Sequence, residues 1–255
     1  MNMRILLLGL LIMVMSASTF GAGSIGTPTA QLKQNQWSLG FNYAYISTNL
    51  ETNMYSIPGI TAFKMEFNDN NIHRYYGTIG YGLTDSWDVY VQLGVADVKQ
   101  KTVNTKQPAQ GSFGWNYDND FAWGWGTRYT FLEKDNIRLG ASVQMNWLDT
   151  NWDDATASNE IHYDYETTDT LIAVGPTIDM GSWSLYGGPF YYCLSGELNG
   201  ERATPVYSSV NLENNGCFGG FVGAQVKAME NYDITTDLSF TSDGWSISAG
   251  ISRKF

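Results

Sequence analysis

The chain has little of what usually holds a small secreted or helical protein together. Among 255 residues there are two cysteines, Cys193 and Cys217, and two histidines, His73 and His162. Two cysteines exclude a disulfide-dense scaffold and a multi-cysteine metal site. Positive charge is also scarce: 14 lysines and arginines stand against 25 acidic residues, a formal charge of -11. Such a chain has no basic face for nucleic acid. Beyond residue 23 no apolar stretch approaches the roughly 18 residues that a membrane helix needs, which excludes a helical membrane protein.

The one long apolar run opens the chain. Met1–Arg4 is basic, Ile5–Met15 is apolar, and SASTFGAG follows at Ser16–Gly23. That order is the pattern of a secretory signal peptide, and the run is too short to span a bilayer. The expectation is a leader over residues 1–22, cleaved within 18–23, followed by one domain over 23–255. Loss of Arg4 with the leader leaves 13 basic residues against 25 acidic ones, a charge of -12. With no cysteine at the cleavage region, lipid attachment to the new N-terminus is excluded.

What remains alternates with a period of two, which is the signature of strands with one apolar and one polar face. Trp37, Leu39, Phe41, Tyr43 and Tyr45 share a face, as do Trp87, Val89, Val91, Leu93 and Val95. Ten strands are expected, with eight or twelve as alternatives, near 36–47, 72–83, 87–98, 121–131, 137–148, 165–178, 183–195, 217–228, 232–241 and 246–255. The facing of 165–178 is hidden by the run Leu171–Val174, and Pro189 beside paired glycines suggests a bulge. Connections alternate between short turns and long polar loops. Short turns on one side and long loops on the other describe a closed antiparallel transmembrane β-barrel in an outer membrane.

The tryptophans fit that geometry. Trp37, Trp87 and Trp183 begin strands at the turn side, whereas Trp123, Trp125, Trp147 and Trp245 lie beside loops. Two aromatic girdles at headgroup level are expected from them. A water-soluble sandwich would also alternate but would not sort its tryptophans into two rings.

The last strand ends on a bare phenylalanine, with Ile247, Ala249, Ile251 and Phe255 on one face. This ending, together with GLTDSWDVYV at Gly82–Val91, resembles small bacterial outer-membrane β-barrel proteins of the porin-like group. In that group the terminal strand is the signal read by the barrel-assembly machinery, so the resemblance implies that role for Ile247, Ala249, Ile251 and Phe255. Arg253 departs from the pattern, at a position more often apolar or aromatic. The resemblance implies residence in the bacterial outer membrane, contact with outer-membrane lipids and lipopolysaccharide, and a monomer.

Function is read from the lumen and the loops. Ten strands enclose a narrow interior. Arg74, Asp88, Gln92, Arg128, Arg138, Gln144, Asp233 and Asp237 are expected to point inward, where mixed charges either pair and plug the barrel or line a narrow pore. The reading is a non-enzymatic barrel, structural or surface-exposed, with a narrow solute or ion path left open. The alternative is a rim hydrolase similar to the omptin proteases or the lipid-modifying barrel enzymes. His162, Asp164 and Glu166 would share one face if their strand starts early, but no second acidic pair and no His-x-Ser motif accompany them. The acidic loop residues show no calcium-loop spacing, so no metal and no cofactor are assigned.

The two cysteines flank the fourth long loop. Export places them where disulfides form, and strand partners across a hairpin come within bridging distance, so a Cys193–Cys217 bridge is expected if both face the same way. Opposite facing, one toward lipid and one toward the lumen, would forbid it.

Overall fold

The computed structural model describes residues 24–52, 65–105, 115–116, 120–154, 161–202, 208–214 and 217–255. The expected leader lies outside them. Twelve strands and no helix occur among the described residues: β1 (Trp37–Thr52), β2 (Met65–Thr84), β3 (Trp87–Thr105), β4 (Trp115–Asn116), β5 (Asp120–Lys134), β6 (Ile137–Asp154), β7 (Ile161–Asp179), β8 (Trp183–Arg202), β9 (Ser208–Glu213), β10 (Phe218–Met229), β11 (Tyr232–Thr241) and β12 (Gly244–Lys254).

Ten of them close into an antiparallel ring in the order β1-β2-β3-β5-β6-β7-β8-β10-β11-β12, with β12 returning to β1. The ring is sealed at the turn end by the last residue. Trp37 and Phe255 exchange backbone hydrogen bonds, Phe255 N donating to Trp37 O at 2.9 Å and Trp37 N to Phe255 O at 3.4 Å. Closure removes the free edges that hydrocarbon would not tolerate, because each unpaired backbone group there costs several kcal/mol.

The two short strands modify the loop end. β4 adds to β3 through Lys99 and Gln100. β9 pairs with β8 and also with β1, where Glu51 and Thr52 face Glu213 and Leu212. The β11–β12 hairpin is short, its Gly244 level with Thr48 of β1. Above its tip, β9 joins β8 to β1 directly. The barrel therefore has a second, upper closure that alternation alone did not disclose.

The strands also run further than expected at the loop end. β2 starts at Met65, β3 reaches Thr105, β6 reaches Asp154, and β7 starts at Ile161. Their extensions are rich in Asn, Asp, Glu and Thr, which read as loop because they lack a lipid-facing apolar face. Cross-strand hydrogen bonds do not need one, so the ladders continue into water. The expected bulge at Pro189 is absent. The β7–β8 ladder stops at Ala173↔Phe190 and resumes at Thr177↔Tyr186 in unchanged register. Pro176 and Pro189 supply no N–H, so ladder bonds are lost across this gap without insertion of an extra residue.

Facing follows the expected period. Leu39, Phe41, Val91, Leu93, Trp123 and Ile251 are exposed on the outer wall. The hidden facing of β7 is now plain: Leu171 and Ala173 are buried inside, and Ile172 and Val174 are exposed outside. The hairpin at Asp243–Gly244 uses its glycine for space and not for a left-handed turn. A Cβ on Gly244 would lie 2.6 Å from Ser47 O, while Thr241 Oγ1 accepts the Asp243 and Gly244 amides at 3.2 and 3.1 Å.

The inner face of the loop half is closely packed, its apolar side chains interleaved with buried Thr48, Asn70 and Thr150. Ile46 and Ile72 are 0% exposed, and Leu50, Val98, Leu148 and Leu212 join them, while Leu194 stands opposite Asp169 and Leu171 lies two residues nearer the turn end, opposite Gln144. Leu171→Ala is expected to destabilise the barrel by about 2–5 kcal/mol, since a buried leucine is removed from a packed site. Urea unfolding in lipid vesicles measures it; a change within experimental error would show that this site is loosely packed.

Candidate functional site: the barrel lumen

The interior is built in three layers. At the loop end is the closely packed layer just described. In the middle is a set of crossing polar bonds. At the turn end an N-terminal segment, residues 24–36, enters the ring.

The middle layer is centred on Arg74 of β2 and Asp169 of β7. Three strands separate β2 from β7 on the shorter side of the ring, so this ion pair spans the lumen. Both side chains are 3% exposed or less. Asn146 of β6 donates to Asp169 Oδ1 at 2.6 Å. Gln92 of β3 donates in turn to Asn146, and Gln144 approaches the same oxygen at 3.4 Å. Tyr90 donates to Gln144 Oε1 at 2.9 Å, and its ring lies 5.0 Å below the Arg128 guanidinium. Arg128 Nε donates to Asp88 Oδ1 at 2.8 Å. The chain of contacts thus runs from mid-lumen to the turn end. Large inward rings are accommodated by glycines on the adjacent strand: Tyr90 faces Gly126 and Tyr186 faces Gly223.

The turn-end layer was not legible from alternation. Residues 24–34 belong to no strand, yet Ile25, Thr27, Thr29, Ala30 and Leu32 are 4% exposed or less. Asp237 of β11 accepts the amides of Ile25 and Gly26 at 3.3 and 3.2 Å. Asp88 of β3 accepts those of Gln31 and Leu32 at 2.6 and 3.2 Å. Thr130 accepts the Ala30 amide at 3.0 Å, and Arg138 donates to the Ala30 carbonyl at 2.8 Å. Thr29 and Thr177 share a 2.8 Å hydroxyl bond. Beside the segment lies a cavity of about 90 Å³ with a polar lining that includes Asn42, Gln92, Gln225 and Asp233.

All eight residues expected to face inward do so, and most find partners. Asp233 pairs with Lys254 at 2.7 Å and Arg138 with Asp179 at 3.3 Å. What the sequence reading missed was the segment's destination. The signal was present: GSIGTPTAQL at Gly23–Leu32 alternates with no strand period, carries no charge and directly follows the expected leader.

The rim arrangement is less cohesive. β7 does start early, and its even-numbered positions Asp164 and Glu166 turn outward. The side chain of His162 lies outside the described residues. Glu166 stands opposite Asp149 and Glu197 on neighbouring strands. His73 faces outward from β2, its Nδ1 2.9 Å from the Tyr43 hydroxyl.

On the outer wall the tryptophans Trp37, Trp87, Trp123 and Trp125 are exposed, and Trp147, Trp183 and Trp245 are half-buried. Trp123 and Trp147 stack at 4.3 Å between ring centroids. In the terminal strand Ile247, Ala249, Ile251 and Phe255 all face outward. The exception to the terminal pattern has a physical reason: Arg253 lies over the rings of Tyr232 and Phe255, 5.5 and 4.6 Å from their centroids. Its stem covers apolar surface while its charge meets aromatic faces.

Cys193 and Cys217 are free thiols, both half-buried. Tyr192 N donates to Cys217 O at 2.6 Å, which places Cys217 opposite Tyr192, one residue before Cys193. In protein isolated under oxidising conditions, this juxtaposition predicts a Cys193–Cys217 bridge. Mass spectrometry of non-reduced peptides checks it, and two freely alkylated thiols would contradict it.

The central ion pair makes a second prediction. Arg74→Ala strands Asp169 in a water-poor layer and is expected to cost about 3–5 kcal/mol, whereas Arg74→Met with Asp169→Leu removes both charges and is expected to cost less than Arg74→Ala alone. Vesicle unfolding of the three proteins is the measurement; equal losses for Arg74→Ala and the double variant would contradict the assignment.

No family model and no curated protein matches the chain. Solved structures do. The outer membrane protease OmpT from Escherichia coli superposes with a TM-score of 0.52 at 11% identity, over 89% of this chain and 99% of that one. The outer membrane protein AlkL, solved in lipid bilayers, gives 0.44 at 18% identity, over 94% and 96%. OprG from Pseudomonas aeruginosa gives 0.39 at 12%, over 88% and 97%. At such identities the likeness concerns the fold and carries over no activity. Closed ring, alternating wall and structural neighbours agree: the chain has the fold of a bacterial outer-membrane β-barrel protein.

Proposed function

We propose that this protein is a sealed, non-enzymatic barrel whose role in the outer membrane is structural and surface-exposed. The observation that carries the reading is the filled lumen. A conducting barrel needs a continuous water path, whereas here a closely packed layer of buried side chains lies above a cross-lumen ion pair and a peptide segment closes the turn end. The polar cavity of about 90 Å³ beside the segment lies within this packing.

The turn end faces the periplasm and the extended strands face outward in this reading. The outward tryptophans form the two girdles, and lipids and lipopolysaccharide cover the wall between them. The terminal positions Ile247, Ala249, Ile251 and Phe255 serve the barrel-assembly machinery, and the protein acts as a monomer. The extended strands β6, β7, β8 and β9 hold the exposed acidic surface that meets the environment. Catalysis at the rim has no support in a convergent set of side chains among the described residues.

Planar-bilayer recording on refolded protein tests the sealed state. The expected result is a silent membrane at ordinary potentials. Discrete, reproducible openings would overturn it in favour of a narrow pore.

A further inference from the structure

Residues 24–32 are covalently part of the chain but structurally separate from the barrel wall. The ring closes through Trp37 and Phe255, downstream of the segment. Backbone-to-backbone bonding between the N-terminal segment and the wall begins only at Asn35, whose amide donates to Gly82 O at 2.9 Å. Before that point the wall holds the segment through side chains, and nearly all of those bonds read its main chain.

The readers come from β11 on one side of the ring and from the neighbouring strands β3, β5 and β6 on the other. Asp237 on β11 and Asp88 on β3 each take two consecutive amides, while Thr130 on β5 and Arg138 on β6 take the amide and carbonyl of Ala30. Two adjacent N–H groups turned toward one carboxylate form an anion-binding concavity. Gly26, at φ 67°, provides the left-handed residue that such a turn requires at the Asp237 end. Pro28 occupies a position where no amide is called for. The wall leaves room for this backbone: a Cβ on Gly82 would collide with Lys33 O and approach Leu32 Cβ at 3.2 Å, and one on Gly140 would lie 2.7 Å from Pro28 O. The atoms that a Gly82 side chain would meet all belong to the N-terminal segment.

We propose that the turn-end half of the lumen is a binding site for an extended peptide main chain, occupied in cis by residues 24–32 and able to exchange that segment for the same peptide supplied in trans. Its specificity lies in two pairs of free amides, at 25/26 and 31/32, with small or apolar side chains between. This holds whether or not the barrel conducts, because it concerns only how the segment is held.

The test uses the full folded protein with a site-specific protease sequence inserted between Lys33 and Gln34, which are exposed. After cutting, a fluorescent synthetic peptide of residues 24–33 is added and its anisotropy is followed. Saturable exchange into the cut protein is expected, with no binding to uncut protein. A peptide carrying Gln31→Pro, which lacks one required amide, is expected to bind at least tenfold more weakly, whereas Gln31→Ala stays within about threefold of the parent. These variants alter only the peptide, so barrel folding is not in question. In the wall, Gly82→Ala is expected to weaken binding at least tenfold while the barrel keeps its heat-modifiable gel mobility. Retention of the cut segment with no exchange over a day would make it an integral wall element and overturn the proposal. Equal binding of the Gln31→Pro and Gln31→Ala peptides would also overturn it, as would loss of the segment with no rebinding.

Discussion

Everything in this molecule depends on one constraint: a sheet immersed in hydrocarbon has to leave no backbone group unpaired. That requirement closes β12 on β1 and places Phe255 against Trp37, at the seam of the ring. It also explains why a chain can end on a large aromatic without fraying. The terminal ring lies on the lipid-facing wall, with Arg253 folded over it. The same rule applies again at the loop end, where β9 bridges β8 and β1 above the short β11–β12 hairpin.

Closure creates an interior, and the interior has to be filled. The ten-stranded ring does so differently along its length. Near the loops Ile46, Leu50, Ile72, Val98 and Leu148 pack together with buried Thr48, Asn70 and Thr150. In the middle, long polar side chains cross the gap and satisfy one another, as Arg74, Asp169 and Asn146 do. At the turns, side chains are replaced by a piece of backbone, which carboxylates on β3 and β11 hold through its amides. Each layer relies on the one beside it, since a buried ion pair or carboxylate is tolerated only while its partners stay in place.

Much of the wall was legible in the sequence because lipid enforces a strict period of two. Trp37 to Tyr45, Trp87 to Val95 and the inward set Arg74, Asp88, Gln92 and Arg128 all lie where alternation puts them. The reading faltered where that enforcement stops. Asn- and Asp-rich extensions of β2, β3 and β6 carry no lipid face, so their ladders looked like loops. Leu171–Val174 is apolar on both faces because its inner side joins the buried apolar cluster, which erased the contrast. The segment from Ser24 to Leu32 follows no period, and its place is set by amides that every sequence has. Only its lack of charge, and Gly26 and Pro28 beside unremarkable neighbours, marked it out.

The central claim is that no water column crosses the loop half of the lumen. Solid-state NMR with polarisation transferred from water, on protein in lipid bilayers, tests it directly at the methyl groups of Ile46, Leu50 and Leu148. The account predicts that these methyls receive no more water magnetisation than the lipid-facing methyls of Val91 and Leu93, while the Thr27 and Thr29 region beside the polar cavity receives clearly more. Strong, rapid transfer to Ile46, Leu50 and Leu148 would mean a water column through the barrel and would contradict the account.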